Sequence, residues 1–330
     1  MTEKSPLKVV ILNADYPHYE IEKDVLSPFS MNLCEIQVST NADELMKAVQ
    51  DADAVLVRQA VLNKKVIEAM RRCKIIVRYG VGVDNIDLIA AKRKRIYVAN
   101  VPDYGSEEVA DHALALMLSV ARRTVTRDRD VKNGRWNIGA REPIHSFNGK
   151  TLGIIGYGQI GRIFHRKVSG LGFSKVLVYD PYLMDTNTNV IKVELETLCR
   201  QADFISIHSP LTGKNHRLMD GDMISLMKPT SILVNTSRGG LIDEEALVEA
   251  LETDQIFGAG LDVFETEPPD YSSPLFHMRN VVVSDHTGWY SEESLQKLQK
   301  KAAQEIARVF SGKKPISWMN CWGDTDNANL

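Results

Sequence analysis

A glycine-rich turn near the middle of the chain strongly limits what this sequence can fold into. The apolar run Leu152–Ile155 leads into Gly156-Tyr157-Gly158-Gln159-Ile160-Gly161, and a helical stretch follows. Gly156 permits a tight turn, Gly158 lets a pyrophosphate approach the backbone, and Gly161 lets the helix pack closely on the sheet. The N-terminus of that helix would attract the phosphates. The pattern predicts a strand–turn–helix unit that binds a dinucleotide.

An acid at the end of the next apolar run indicates which dinucleotide is bound. Val176–Tyr179 is the second predicted strand, and Asp180 follows it about 20 residues after the last glycine, where a carboxylate can bind both ribose hydroxyls. No Lys or Arg occurs in Asp180–Tyr182, and a 2′-phosphate would meet a like charge. The sequence therefore predicts NAD(H) in preference to NADP(H).

Length and composition indicate a globular protein of two domains. The chain has 330 residues, of which 44% are hydrophobic and 25% charged. A net charge of −3 gives no electrostatic reason to bind nucleic acid or an anionic membrane. The four cysteines are scattered without metal-type spacing, and the first residues lack the apolar core of a signal peptide. We expect reduced thiols, no metal site and a cytoplasmic location.

Short apolar runs alternate with amphipathic helical stretches almost throughout, which predicts an α/β fold with parallel sheets covered by helices. Four strands are predicted in the first hundred residues: Lys8–Asn13, Ala54–Val57, Ile75–Arg78 and Ile96–Ala99. Six more are predicted in the second half, near Gly153, Val176, Phe204, Ile232, Ala259 and Val281. Two long helices are predicted, one capped by Ser106 and running to about Arg123, the other over Glu292–Phe310. The polar tail Gly323–Leu330 is predicted to be disordered.

Three segments that follow successive predicted strands of the second half carry polar residues: Arg238 in the first, the three acids Asp262, Glu265 and Glu267 in the second, and His286 in the third. Taken singly, each has an ordinary structural explanation. Because the carboxyl ends of parallel strands meet at one edge of a sheet, we expect the three to lie together beside the dinucleotide. An Arg can hold a carboxylate through two charge-assisted hydrogen bonds of about 1.5–3 kcal/mol each. A His that transfers a proton, with an acid that tunes it, completes a hydride-transfer site.

These motifs resemble the D-isomer-specific 2-hydroxyacid dehydrogenases over nearly the whole chain. The resemblance is carried by the glycine motif, Val234–Gly240, Leu261–Pro268 and His286. Within the family, the sequence is most similar to the C-terminal-binding-protein branch, through Arg78–Asp87, Tyr179–Leu183 and His286–Glu292. The resemblance implies two doubly wound domains. A Rossmann NAD-binding domain, residues 101–290, is inserted into a flavodoxin-like substrate-binding domain formed by residues 1–100 and 291–330.

The resemblance also implies a role for individual residues. Arg238 would bind the substrate's carboxylate and carbonyl oxygen, His286 would donate or accept the proton, and Glu267 would favour the imidazolium. Asp262 would hold the nicotinamide carboxamide. The implied substrate-binding residues are Arg78, Val81, Gly82 and Trp289. The implied cofactor-binding residues are Gly156, Gly158, Gln159, Ile160, Gly161, Asp180, Pro210, Thr236, Ser237, Asp262 and Gly288.

The predicted function is that of an NAD-dependent D-2-hydroxyacid dehydrogenase acting on a small 2-oxo or 2-hydroxy acid, with the substrate left open. The Ser106–Arg123 helix and the Trp136 loop resemble the family's dimer-forming arm, so a homodimer is expected. The alternative is an NAD(H)-sensing scaffold of the C-terminal-binding-protein type, which recruits peptide partners. One residue departs from the family pattern: Asp285 stands where Pro usually precedes the catalytic His, and its carboxylate would raise the pKa of His286 or take its hydrogen bond.

Overall fold

The computed structural model describes residues 6–37, 41–136, 142–184 and 189–322, and it divides into two compact units. The first unit is formed by Met1–Gly105 together with Ser291–Leu330, and the second by Ser106–Tyr290. The predicted disordered tail, Gly323–Leu330, lies outside the described residues. Which unit binds substrate and which binds the cofactor stays a prediction at this point.

A five-stranded parallel sheet forms the centre of the first unit. Its strands are β1 (Leu7–Leu12), β2 (Met31–Ile36), β3 (Ala54–Val57), β4 (Ile75–Arg78) and β5 (Tyr97–Ala99). They lie in the order β2-β1-β3-β4-β5, which is the doubly wound, flavodoxin-like order. The predicted bounds of β3 and β4 are confirmed, whereas β2 was missed. This edge strand is only half-buried and is interrupted by the polar residues Asn32 and Glu35, so no apolar run marks it.

A seven-stranded parallel sheet forms the centre of the second unit. Its strands are β6 (Thr151–Ile155), β7 (Lys175–Tyr179), β8 (Ile191–Lys192), β9 (Phe204–Ile207), β10 (Ile232–Asn235), β11 (Gly258–Leu261) and β12 (Val281–Val283). The order β12-β11-β10-β9-β6-β7-β8 is that of a Rossmann sheet with one further strand beside its last. The predicted α/β class with two doubly wound parallel sheets is therefore confirmed. The short, exposed β8 was not predicted.

Helices cover both sheets. Those of the described residues are α1 (Glu20–Leu26), α2 (Ala42–Val49), α3 (Lys64–Ala69), α4 (Leu88–Arg93), α5 (Ser106–Ala121), α6 (Thr124–Lys132), α7 (Gln159–Val168), α8 (Leu195–Gln201), α9 (Gly221–Ser225), α10 (Glu244–Glu252) and α11 (Glu292–Phe310). The predicted long helices are confirmed as α5 and α11, although α5 begins at Ser106 itself and not after a Ser106 cap. A reciprocal capping box fixes the start of α11, since Ser291 and Ser294 each accept the other's backbone N–H.

The segment after α11 returns to the first sheet and covers the edge strand β5. The Met319 N–H donates to the Val98 carbonyl, and the Asn320 side chain accepts the Val98 N–H at 2.9 Å. The Trp318 ring packs edge-on against Tyr97, with ring centroids 5.1 Å apart. An edge strand with unpaired backbone groups is a template for pairing with other chains, and this segment occupies that template.

Candidate active site and cofactor-binding loop

The glycine turn between β6 and α7 has the geometry expected of a loop that accepts a pyrophosphate. Gly156 has φ +88°, and a Cβ there would lie 2.7 Å from the His208 carbonyl oxygen. A Cβ on Gly161 would lie 2.3 Å from the Gly156 oxygen, so only glycine lets α7 pack this closely. A Cβ on Gly158 would meet nothing within 4 Å among the described atoms, which leaves open space beside the backbone at the start of α7. Gln159 and Ile160 form the first turn of that helix.

The acid after β7 lies against this turn. The Asp180 carboxylate accepts the Tyr157 N–H at 2.8 Å and the Tyr182 N–H at 2.9 Å. The carboxylate is half-buried, and the Tyr182 ring beside it is 87% exposed. Asp180 is thus held at the glycine turn by backbone donors, which is the position that the fingerprint requires of a ribose-binding acid.

Two buried polar atoms near the carboxyl ends of β9 and β10 have no hydrogen-bond partner among the described residues. They are His208 Nδ1 and Thr236 Oγ1. Burial lowers the pKa of His208 to about 3, so this imidazole is neutral. Because buried polar atoms are nearly always paired in native proteins, these atoms are consistent with a polar ligand at this edge. With the glycine turn and Asp180, they fit a dinucleotide.

His286 and Glu267 form a close pair. The Glu267 Oε2 atom lies 2.6 Å from His286 Nδ1, while Oε1 accepts the Phe264 N–H at 3.1 Å. Burial alone would raise the pKa of Glu267, but the hydrogen bond and charge of His286, with further help from Arg238, hold that pKa below its ordinary value. The carboxylate is therefore ionised and can only accept, so Nδ1 carries the proton of this hydrogen bond. The other ring nitrogen of His286, Nε2, takes no part in the bond to Glu267.

The backbone turn that carries His286 is fastened to Asp262. His286 has the left-handed φ of +58°, and its N–H donates to the Asp262 carbonyl at 2.8 Å. The Asp262 carboxylate accepts the Thr287 N–H at 3.0 Å and the Gly288 N–H at 2.9 Å. Burial alone would raise the pKa of Asp262, but hydrogen bonds from His112, Ser284 and the Gly288 amide outweigh it and hold the pKa below its ordinary value.

Arg238 follows β10 in a loop that Asn235 holds in shape. The Asn235 side chain donates to the Arg238 carbonyl at 2.8 Å and accepts the Ser237 N–H at 3.0 Å. The Ser237 hydroxyl donates to the Ile207 carbonyl, which ties the loop to β9. The Arg238 guanidinium donates to the Ser237 carbonyl, and its charge contributes to the lowered pKa of Glu267. The structure thus brings Arg238, Glu267 and His286 to one edge of the sheet, as the sequence predicted.

The expectation that the Asp285 carboxylate takes the hydrogen bond of His286 is wrong. Asp285 is exposed and accepts the Thr287 hydroxyl at 2.8 Å, whereas His286 bonds to Glu267. The Trp289 indole N–H donates to the His286 carbonyl at 3.0 Å, so the indole supports the same turn.

The other predicted site residues also lie at strand ends. In the first unit, Arg78 ends β4 and donates to the Tyr79 carbonyl at 2.8 Å. Val81 and Gly82 follow it, and the Val81 carbonyl accepts the Asn100 side-chain amide. In the second unit, Pro210 follows β9, and the Gly288 N–H donates to the Asp262 carboxylate.

Three residues of the second unit that sequence reasoning missed shape this site: Asn235, His112 and Ser284. The His112 Nε2 atom lies 2.7 Å from the Ser284 hydroxyl, which in turn donates to Asp262 at 2.6 Å. Asn235 could have been found from its place between a buried strand and Arg238. His112 carries no such signal, because it is one polar position among several on a long helix.

Across the four described ranges, no cluster of His, Cys, Asp or Glu is arranged to hold a metal ion. None of the helices in those ranges is long and apolar enough to cross a membrane.

Comparisons with known proteins identify the family of this chain. Residues 114–288 match the family model of the D-isomer specific 2-hydroxyacid dehydrogenase, NAD binding domain. The chain is 40% identical over 286 residues to D-3-phosphoglycerate dehydrogenase of Methanocaldococcus jannaschii, covering 84% of this chain and 54% of that protein. It is 39% identical over 282 residues to hydroxypyruvate reductase of Thermotoga maritima, covering 84% of this chain and 92% of the relative. The chain belongs to the D-isomer-specific 2-hydroxyacid dehydrogenase family.

The chain spans about half the length of the phosphoglycerate dehydrogenase that it matches and most of the length of the hydroxypyruvate reductase. Among solved structures, D-lactate dehydrogenase of Aquifex aeolicus, determined with NAD and lactic acid, superposes with a TM-score of 0.84 at 26% identity. That superposition covers 92% of this chain and 96% of the other.

Proposed function

We propose that the protein is an NAD-dependent D-2-hydroxyacid dehydrogenase that interconverts a small 2-oxo acid and its D-2-hydroxy acid. The observation that carries the proposal is the His286–Glu267 pair, 2.6 Å apart, lying with Arg238 at the edge of the seven-stranded sheet. Family membership and the dinucleotide fingerprint in the same unit support it. When bound, the nicotinamide supplies or receives the hydride.

His286 acts as the acid and base of the reaction. Its Nδ1–H is held by Glu267, so Nε2 is the atom that gives a proton to the substrate's carbonyl oxygen and takes one back in the reverse direction. Glu267 favours the protonated ring through its negative charge and keeps it in one orientation.

Arg238 binds the substrate. Its planar guanidinium matches a carboxylate with an adjacent carbonyl oxygen, and this match draws electron density away from the carbon that receives the hydride. Arg78, Val81 and Gly82 of the first unit and Trp289 of the second are the further substrate-binding residues that we propose.

The cofactor is NAD(H) in preference to NADP(H). Asp180 is positioned by two backbone N–H groups at the glycine turn, where its charge would repel a 2′-phosphate. The turn residues and Gln159 and Ile160 would hold the pyrophosphate. The remaining proposed contacts, with the adenosine and nicotinamide ends, are Pro210, Thr236, Ser237, Asp262 and Gly288.

A homodimer and a cytoplasmic location also remain proposals. The Trp136 side chain is 79% exposed just beyond α6, which supports a dimer-forming arm. Sedimentation of the wild type beside Trp136→Ala tests this part of the proposal.

The decisive experiment is NADH and NADPH oxidation with a panel of 2-oxo acids, including glyoxylate, hydroxypyruvate, phosphohydroxypyruvate and phenylpyruvate. We expect turnover with NADH and one favoured acid, and a loss of roughly 10²–10⁴-fold in Arg238→Ala and in His286→Ala. His277→Ala, at an exposed histidine, is the matched control and should retain full activity. Tight NADH binding without turnover of any acid would overturn the proposal in favour of an NAD(H)-sensing scaffold.

A further inference from the structure

A chain of side-chain hydrogen bonds connects helix α5 with the turn that carries His286. The His112 Nε2 atom lies 2.7 Å from the Ser284 Oγ atom, and Ser284 Oγ lies 2.6 Å from Asp262 Oδ1. His112 Nε2 is also 3.4 Å from the same carboxylate oxygen. The Asp262 side chain is 2% exposed and that of His112 is 27% exposed, so the chain runs from the rim of the unit into its interior.

The direction of every hydrogen bond in this chain is fixed. Asp262 accepts two backbone N–H groups, from Thr287 and Gly288, and an ionised carboxylate has no proton to give. The single hydroxyl proton of Ser284 must therefore point at Asp262. That leaves only a lone pair on the Ser284 oxygen, so His112 must donate its Nε2–H to it.

The chain ends on the backbone that orients the proposed acid–base residue. Asp262 holds the turn at three consecutive amides, since its carbonyl also accepts the His286 N–H at 2.8 Å. His286 stands there in a left-handed conformation, which a non-glycine residue keeps only where its surroundings enforce it. A carboxylate that rotates or loses a donor would release this turn.

We propose that His112 is a positioning residue for catalysis, which fixes the Asp262 carboxylate through Ser284 and thereby sets the orientation of His286. The expected loss of activity rests on the proposed dehydrogenase function, whereas the orientation of His286 can be measured without turnover. Among the described residues, no hydrogen bond joins His112 to Glu267 or to His286.

The test compares three variants of the full chain. His112→Phe keeps a flat ring without a donor, His112→Gln keeps an N–H near the position of Nε2, and Ser284→Ala removes the relaying hydroxyl. Ser231→Ala is the control, because Ser231 is a buried serine of the second unit whose hydroxyl donates to the Ala202 carbonyl and not to Asp262. Ser284→Ala keeps the proposal testable if His112→Phe fails to fold.

The first readout is steady-state kinetics in H₂O and D₂O. We expect kcat to fall about tenfold in His112→Phe and Ser284→Ala, which corresponds to the loss of one hydrogen bond to a charged group, with the KM for the 2-oxo acid near wild type. The solvent isotope effect on kcat should rise, because proton donation from a misplaced His286 becomes rate-limiting. His112→Gln should recover most of kcat, and Ser231→Ala should match the wild type in both quantities.

The second readout needs no substrate. The proton shared by His286 Nδ1 and Glu267 gives a downfield NMR signal, assigned by its loss in His286→Gln. We expect the signal to shift in His112→Phe and Ser284→Ala and to stay in place in His112→Gln. If the wild type turns over no 2-oxo acid but this signal responds, the proposed function fails and the positioning role stands. An unmoved signal in both donor-deleting variants, or a kcat loss without a change in isotope effect, would overturn the positioning role.

Discussion

Single side chains at strand ends carry the chemistry proposed for this protein. The meeting of Arg238, Glu267 and His286 was predictable because each follows a strand of one parallel sheet, and the topology brings such positions to the same edge. The His112–Ser284 contact was not predictable, because it joins positions 172 residues apart and leaves no periodic pattern. The outcome at Asp285 was also beyond the sequence, since only the turn geometry shows that its carboxylate bonds to the Thr287 hydroxyl.

The charge of Glu267 can be removed with little change in shape. We expect Glu267→Gln to lower kcat by about tenfold to a hundredfold, because the amide neither stabilises the imidazolium nor accepts its proton as strongly. NADH affinity should stay at the wild-type value in a fluorescence titration. Glu252→Gln, on the surface end of α10, is the control, and equal kcat in the two variants would contradict the role of Glu267.

Asp262 makes stability depend on pH in a defined direction. Its pKa in the folded protein lies below the ordinary value of 3.8, so its ionised form stabilises the fold above pH 3.8 and this contribution is lost as the pH falls through the lowered pKa. We expect Asp262→Asn to be less stable by about 2 kcal/mol at pH 6, with the difference from wild type narrowing at pH 3. Urea unfolding at both pH values measures this, with Asp222→Asn on α9 as an exposed control. A difference that widens on acidification would refute the assignment.

At the scale of elements, burial decided which strands could be recognised from the sequence. Strands β3 and β4 are apolar and buried except for Arg78 at the end of β4, and their limits were predicted to the residue. Strand β2 lies at a sheet edge and contains no fully buried residue, and β8 has only 2 residues, so neither presents an apolar run. The junction of β6 and α7 was the most predictable element, because three glycines there have separate geometric tasks.

Those tasks can be separated by two alanine substitutions. Gly161→Ala places a methyl 2.3 Å from the Gly156 oxygen, so α7 must move and we expect a stability loss of about 1–3 kcal/mol together with weak NADH binding. Gly158→Ala meets open space, so it should melt like the wild type but bind NADH at least about tenfold more weakly, since the methyl occupies the pyrophosphate's approach. Thermal melts and NADH titrations distinguish the two. Wild-type NADH affinity in Gly158→Ala would show that the backbone does not approach the cofactor there.

At the scale of the whole molecule, the first unit is assembled from both ends of the chain. Helix α11 joins it through Gln299, whose amide donates to the His18 carbonyl and to the Glu22 carboxylate. The Phe29 and Phe310 rings pack edge-on, 5.7 Å apart. The alternation of strands and helices predicted both sheets. No local pattern, however, shows that residues 291–322 belong to the same unit as the first sheet.

Removing the last piece of that unit should leave its sheet incomplete. A chain that ends at Lys314 loses Trp318 from the Tyr97 ring and the bonds of Met319 and Asn320 to β5. We expect it to aggregate through the unpaired edge and to melt several degrees lower. A control chain that ends at Trp322 keeps all of these contacts. Light scattering and thermal melts compare them, and a monodisperse shorter chain with an unchanged Tm would contradict the expectation.

This assembly has a consequence for the order in which the protein folds during synthesis. Residues 106–290 are continuous, so the second unit can reach its native structure as soon as it has left the ribosome. The first unit cannot, because its closing contacts include a hydrogen bond between positions 222 residues apart and must wait until residues 291–322 have been synthesised. Its contact order is therefore high and its final step late. A nascent chain stalled before α11 would carry a finished second unit together with an N-terminal sheet that still lacks the contacts of α11 and the segment after it.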